Sequence, residues 1–112
     1  MKKLSLLAAL TATFSLTACG PMTREDRVAA MTGSVTAGQT LYMAQCASCH
    51  GTDGKGTASG VTLVDPAKTK MATALITVII NGKKGTDMAA YGAFTDQQIA
   101  DLYAYIKQTF GK

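Results

Sequence analysis

The stretch Cys46-Ala47-Ser48-Cys49-His50 brings two thiols and one imidazole together in consecutive positions. The chain of 112 residues holds one further cysteine, Cys19, and no further histidine. A structural zinc site needs about four such ligands at suitable spacing, and this motif supplies too few. A thioredoxin-like redox pair is expected after a strand in a βαβ context, which the flanking sequence does not show. A disulfide between Cys46 and Cys49 would leave His50 without a role.

Cys-x-x-Cys-His is the attachment signature of haem c. Two thiols at this spacing can each add to one vinyl group of the porphyrin, and the next residue, the histidine, then lies on one face of the macrocycle. The motif therefore predicts one haem c, bound covalently through Cys46 and Cys49, with Nε2 of His50 as an axial ligand of the iron. Covalent attachment also supplies the staple that a small exported domain needs.

The start of the chain is typical of an export signal. Met1-Lys2-Lys3 is a basic head, and the mostly apolar run 4–16 is too short to span a bilayer. The sequence Leu16-Thr17-Ala18-Cys19 resembles the lipobox of bacterial lipoproteins, whose cysteine is lipidated and becomes the mature N-terminus. We therefore expect a signal peptide over 1–18, lipidation of Cys19, and a location on the periplasmic side of a bacterial membrane, inner or outer. The alternative is that Cys19 is an unmodified thiol.

Composition excludes some classes of partner. The whole chain has a formal net charge of +4, but Lys2 and Lys3 fall in the expected signal peptide, which leaves a nearly balanced mature chain. Because no basic run is present and the location is wrong, we expect no nucleic-acid binding. A mature chain this short builds only a modest core.

The residues between Cys19 and the predicted domain are expected to form a linker. Segment 19–35 is rich in Gly, Pro, Thr and charge, so it predicts a lipid-anchored tether that reaches roughly 20–25 Å r.m.s. if flexible. Thr23 and Asp26 have the spacing that caps a short helix within it. The domain itself is assigned to 36–112, where Thr36 and Gln39 form a capping-box pattern at the start of a helix.

The domain is predicted to be all-α. Apolar positions between Lys68 and Ile80 recur at helical spacing and include Met71, although the β-branched residues there also favour a strand. Thr95 and Gln98 form a second capping box, which opens the last helix. Glycine-rich loops separate the predicted helices, which cover Ala37 to Ala47, Lys68 to Ile80, and the segment from Thr95 to Phe110.

From about Ala37 to Phe110 the sequence resembles the class I mono-haem cytochromes c of bacteria. The segments that carry the resemblance are Gly38 through Tyr42 and Cys46 through Gly51. The resemblance implies a small class I cytochrome c fold, in which three main helices surround one covalently attached haem. It also implies that the first and last helices cross, with Gly38 and Tyr42 meeting Leu102 and Tyr105.

The same resemblance implies a second axial ligand. Met88 begins Met-Ala-Ala-Tyr-Gly, where the family commonly has Met-Pro-Ala-aromatic-Gly. The alternative is an ordinary loop methionine beside five-coordinate or lysine-ligated iron. Ala89 replaces the family's proline and leaves this loop less rigid. Val61 replaces another family proline, whose carbonyl accepts a hydrogen bond from the ligand histidine, and the Val61 carbonyl is expected to do the same for His50.

An iron with both axial positions filled by protein has nowhere to bind a substrate, so we expect no enzymatic activity. The sequence predicts a monomeric, lipid-anchored one-electron carrier that shuttles electrons between respiratory or periplasmic redox enzymes, whether reductase, oxidase or dehydrogenase. Lys55, Lys83 and Lys84 flank the two predicted haem loops and could steer an acidic partner, the alternative being an ordinary solvated surface. Two other functions stay open: a haem-based ligand sensor, and an accessory haem subunit of a larger oxidoreductase.

Overall fold

Six helices make up the regular structure in the computed structural model, which describes residues 20–112. No strand forms in that part of the chain beyond an isolated bridge between Thr57 and Gly60. None of the described helices is long and apolar enough to cross a membrane. The helices are α1 Arg24–Ala30, α2 Val35–Gln45, α3 Ala47–His50, α4 Val64–Thr69, α5 Ala72–Asn81 and α6 Asp96–Phe110.

The crossing of α2 and α6 is the centre of the fold. Gly38 lies against α6 so closely that a Cβ atom there would overlap the Asp101 carbonyl oxygen and stand 2.8 Å from the Tyr105 Cβ. One turn further along α2, the fully buried Tyr42 packs its ring 5.2 Å from that of Tyr105. The predicted crossing of first and last domain helices at a glycine and an aromatic residue is therefore confirmed.

Helix α6 begins and ends where the sequence indicates. The Thr95 hydroxyl accepts a hydrogen bond from the Gln98 amide, and the Gln98 side chain accepts one from the Thr95 amide, so the predicted capping box is present. Gly111 caps the other end. The buried face includes one charged residue, Asp101; its members are Ile99, Ala100, Asp101, Leu102, Tyr105, Ile106 and Phe110.

The start of α2 differs from the prediction. The N-cap is Ser34, whose hydroxyl accepts a hydrogen bond from the Ala37 amide, and Thr36 lies inside the helix. The physical reason is a contact from α6: the buried carboxylate of Asp101 accepts a 2.7 Å hydrogen bond from the Ser34 amide. This long-range bond fixes the chain at Ser34, so the helix starts before the Thr36–Gln39 pattern.

The predicted helix over 68–80 is two helices. Lys70 and Met71 both have extended backbone, and they separate α4 from α5. Met71 is 75% exposed, so its assignment to an apolar core stripe is wrong. The break allows both flanking segments to reach the core, because Ala67 of α4 and Ile76 of α5 are fully buried.

Most of the predicted linker belongs to the folded domain. The capping box of Thr23 and Asp26 is present and opens α1, as its spacing indicates. Val28 of this helix is 1% exposed and packs in the hydrophobic core with α5 and α6. Gly33 lies directly on α6, where a Cβ atom would come 2.6 Å from the Ala100 carbonyl carbon. Within the described part of the predicted linker, only residues 20–22 therefore precede the N-cap of α1, because burial of Val28 holds this helix in the core.

Candidate functional site

The Cys-x-x-Cys-His motif forms one tight turn at the end of α2. Cys46 caps that helix, and its carbonyl accepts hydrogen bonds from the amides of Cys49 and His50, at 3.2 and 2.9 Å. The Tyr42 hydroxyl holds the following residue by donating to the Gly51 carbonyl at 2.7 Å. The consecutive motif positions are thereby fixed as short α3, with both thiols and the imidazole bordering one cavity.

The ring of His50 is oriented by a backbone carbonyl. Its Nδ1 lies 2.7 Å from the Val61 oxygen, which can only accept, so Nδ1 carries the proton and donates. The other nitrogen, Nε2, is then left with its lone pair free to bind a metal. The hydrogen bond expected from the residue that replaces the family's proline is therefore present. Val61 is held close to the motif because the preceding residue, Gly60, packs directly against Cys49. A Cβ atom on Gly60 would stand 2.8 Å from the Cys49 carbonyl carbon.

The cavity has a volume of about 440 Å³. This lies within the ~300–1,000 Å³ range of small-molecule and cofactor sites. Its lining comes from two separated parts of the chain, which the sequence alone does not show to be neighbours. The lining residues are Gln45, Cys46, Ser48, Cys49, His50, Ser59, Gly60, Val61, Lys83, Thr86, Asp87, Met88, Ala89 and Tyr91.

Met88 is the methionine of residues 20–112 that borders this cavity. Met43 is 40% exposed on α2, Met71 is 75% exposed and Met22 is 61% exposed, all away from the cavity lining. Met31 packs against the core cluster instead. The structure thus brings together the two thiols, the imidazole and one thioether that the sequence singled out.

Met88 is carried by the segment 82–95, which we call the methionine loop. At its start Gly82 has φ +68°, and a Cβ atom there would lie 2.7 Å from the Met88 carbonyl oxygen, so the loop folds back onto this glycine. At its other end the Tyr91 amide donates to the Ile79 carbonyl at 3.0 Å, and the Tyr91 hydroxyl donates to the Gln45 carbonyl at 2.9 Å. Tyr91 therefore ties the methionine loop to the residue before the motif, a role that its place in the sequence pattern does not reveal.

The Cys46 thiol is unsuited to the redox alternative. Both Cys46 and Cys49 are free, and burial, followed by the neighbouring Cys49, raises the pKa of Cys46 to about 11. Reactive redox cysteines have lowered pKa values, because the thiolate is the nucleophile. The zinc alternative also loses support, since within the described residues no group of three or more His, Cys, Asp or Glu side chains is placed to hold a metal ion.

The donor set fits a haem. Two thiols at haem-attachment spacing, one imidazole with its Nε2 free and one thioether all border the same part-apolar cavity. Behind the motif, the core contains an aromatic pair, with the Phe110 ring 5.3 Å from that of Tyr42 and packed against Gly54. Among the cavity-lining residues of the described part of the chain, Asp87 is the one carboxylate.

Comparisons with known proteins find similarity to cytochromes c. Residues 33–106 match the family model described as cytochrome c oxidase, cbb3-type, subunit III. Cytochrome c6 of Rippkaea orientalis is 36% identical over 89 residues, which cover 69% of this chain and 72% of the relative.

Two solved structures have the same fold. Cytochrome cL of Methylophaga aminisulfidivorans superposes with a TM-score of 0.59 at 24% identity, over 78% of this chain and 59% of the other. Cytochrome cL of Hyphomicrobium denitrificans gives 0.55 at 26% identity, over 74% and 49%. The chain therefore spans about half to three fifths of the length of these two structures.

Proposed function

The chain belongs to the cytochrome c family, and we propose that it is a membrane-anchored one-electron carrier whose haem iron is bound by His50 and Met88. Its cofactor is one covalently bound haem c, and its relatives are electron carriers rather than enzymes. The small class I cytochrome c fold that the sequence indicates is confirmed. The observation that carries the proposal is the single cavity bordered by both thiols, the imidazole and Met88.

Each of these side chains has a distinct task. When bound, the haem supplies an iron that gains and loses one electron. Cys46 and Cys49 tether the porphyrin through thioether bonds. His50 presents Nε2 because Val61 holds its Nδ1 proton. Met88 supplies a soft thioether, which favours reduced iron and raises the potential relative to a second histidine.

The anchor is proposed at Cys19, which lies outside the described residues. If that cysteine is lipidated, only residues 20–22 separate it from the N-cap of α1. A fully extended chain covers at most about 3.6 Å per residue, so the domain would be held against the membrane surface rather than at the distance predicted for a long tether. The signal peptide expected over 1–18 would export the protein to the periplasmic side.

The lysines near the site support a proposal about redox partners. Lys83 borders the cavity, Lys84 follows it in the chain and is exposed, and Lys55 is exposed in the loop after the haem motif. Such a basic rim favours an acidic protein partner through long-range attraction. The rate of electron transfer to an acidic redox partner should fall as ionic strength rises; a flat response would remove steering by these lysines.

The experiment that tests the main proposal is a set of absorption spectra. The protein is produced in a cell competent for haem attachment, and spectra are taken oxidised, reduced, and reduced with carbon monoxide. A haem that resists extraction by acidified organic solvent and does not bind carbon monoxide supports a six-coordinate electron carrier. Rapid carbon monoxide binding would instead support a ligand sensor, and loss of the haem to the solvent would refute covalent attachment.

One observation favours a second candidate. The matching family model describes a subunit of an oxidase, which suits an accessory haem subunit held permanently in a larger oxidoreductase. Mild detergent extraction followed by affinity purification separates the two functions. An accessory subunit would bring oxidase, reductase or dehydrogenase chains in fixed stoichiometry, whereas a mobile carrier would elute alone as a monomer.

A further inference from the structure

We propose that Arg24 is a positioning residue for Met88, because it clamps the end of the methionine loop to α1. This inference rests on the proposed ligation of the iron by Met88. It concerns a residue in the segment that the sequence assigned to a linker, so it gives α1 a role in the properties of the redox site.

One guanidinium makes three hydrogen bonds across this part of the fold. Nη1 of Arg24 donates to the Gly92 carbonyl at 2.8 Å, and Nη2 donates to the Phe94 carbonyl at 2.6 Å. Nε donates to the Asp96 carboxylate, also at 2.8 Å, at the first position of α6. The group is partly buried, with 29% of its side chain exposed. Bonds to a charged guanidinium are stronger than neutral ones.

The clamped carbonyls lie within a few residues of Met88. Gly92 and Phe94 are both in the methionine loop, outside any helix, and their carbonyls have no backbone partner among the hydrogen bonds of this segment. Ala89 and Ala90, which connect Met88 to Tyr91, are exposed. Since Ala89 stands where a proline would stiffen the backbone, the loop depends on contacts from outside to keep its course. On the C-terminal side Tyr91 is held by its own hydrogen bonds, and Arg24 holds the two carbonyls that follow it. On the N-terminal side the loop packs on Gly82.

Helix α1 gives the clamp a fixed base. Arg24 is the first residue of this helix, directly after the N-cap of its capping box. Val28, one turn on, is buried in the core. The guanidinium is therefore attached to the folded domain at its own end, and its fork fits two carbonyls and a carboxylate in a way that an ammonium group cannot.

Arg27 provides a matched control on the same helix. Its Nη2 is 3.7 Å from the same Asp96 carboxylate, and its side chain is 52% exposed. It makes no hydrogen bond to the methionine loop among those of the described residues. Arg27→Ala thus removes an equal charge from the same surface and leaves the clamp in place.

The test measures competition for the iron in the oxidised holoprotein. Imidazole is titrated into wild type and the variants Arg24→Ala, Arg24→Lys and Arg27→Ala, while the weak red absorption band that thioether sulfur gives ferric haem reports Met88 binding. We expect Arg24→Ala to bind imidazole about tenfold more tightly, which corresponds to about 1.4 kcal/mol. Arg24→Lys should recover only part of this change, and Arg27→Ala should stay within about twofold of wild type.

A readout that does not depend on the haem iron accompanies the titration. Amide hydrogen exchange at Tyr91 and Phe94 should quicken in Arg24→Ala and remain unchanged in Arg27→Ala, because the loop opens locally. If Arg24→Ala does not fold, Arg24→Lys decides by the same two measurements.

The outcomes separate this inference from the proposed function. Unchanged imidazole affinity and unchanged exchange in both Arg24 variants would overturn the positioning role, as would a drop in global stability without a change in imidazole affinity. A wild-type protein without the sulfur band would refute ligation by Met88 itself. A rise in imidazole affinity confined to the Arg24 variants supports the clamp.

Discussion

Replacing Gly38 with alanine tests the helix crossing on which the fold depends. The new methyl group would overlap the Asp101 carbonyl oxygen and stand 2.6 Å from its carbonyl carbon and 2.8 Å from the Tyr105 Cβ. These neighbours are backbone and Cβ atoms, which no rotamer change can move, so α2 and α6 must separate. Overpacking a core costs about 1–3 kcal/mol, and we expect the upper end here. Alanine recovers about 1 kcal/mol through its higher helix propensity, which leaves a net loss of about 2 kcal/mol.

This loss is measurable by urea unfolding of the holoprotein followed by far-ultraviolet circular dichroism. In a thermal melt, ~4–8 °C are lost per kcal/mol in a domain of this size, so the midpoint should fall by about 8–16 °C. Gln39→Ala is the matched control, because it introduces the same residue at the next, exposed position of α2 and should stay within about 0.5 kcal/mol of wild type. If Gly38→Ala proved as stable as this control, the close approach of the two helices would be refuted.

Three further predictions concern the site and its supports. Gly82→Ala should loosen the bond between Met88 and the iron, because alanine is strained at φ +68° and its Cβ would press on the Met88 carbonyl; a rise in imidazole affinity of the oxidised protein checks it. Tyr42→Phe should lower the free energy of unfolding in urea by about 1–3 kcal/mol, since loss of the buried hydroxyl leaves the Gly51 carbonyl without its hydrogen-bond donor. Acid should weaken the N-terminus of α1, because hydrogen bonds from the hydroxyl, then the amide, of the N-cap threonine hold the pKa of Asp26 below 3.8; its contribution is present above pH 3.8 and is lost as pH falls through the lowered folded-state value. An NMR titration of the N-cap amide that showed no change in this range would contradict the last of these.

Features set by neighbouring residues were predictable from the sequence. The capping boxes at Thr23 and Thr95 need only residues three positions apart, and both are present. The Cys-x-x-Cys-His spacing indicated the haem, which family membership supports. The predicted hydrogen bond between His50 and the Val61 carbonyl is also present, because a backbone carbonyl accepts a hydrogen bond whichever side chain its residue carries.

Features set by distant contacts were missed. The start of α2 at Ser34 depends on the carboxylate of Asp101, far along the chain. The extended backbone at Met71 follows from packing of the two helices that flank it, which periodicity over 68–80 cannot reveal. Because Val28 is buried, α1 is part of the folded domain rather than of a tether, and Arg24 at its start contacts the methionine loop. A lone valine in a charged segment gives no sequence signal of that kind.

Ligation of the iron by Met88 can be observed directly in an NMR spectrum of the reduced protein with its methionine methyl groups labelled. A methyl held on the haem iron lies over the ring and is displaced far from the other methionine signals. If Met88 binds the iron, one such signal is present in wild type and absent from Met88→Leu. A reduced wild-type protein with no displaced methionine methyl, or one whose displaced signal survived in Met88→Leu, would contradict ligation of the iron by Met88.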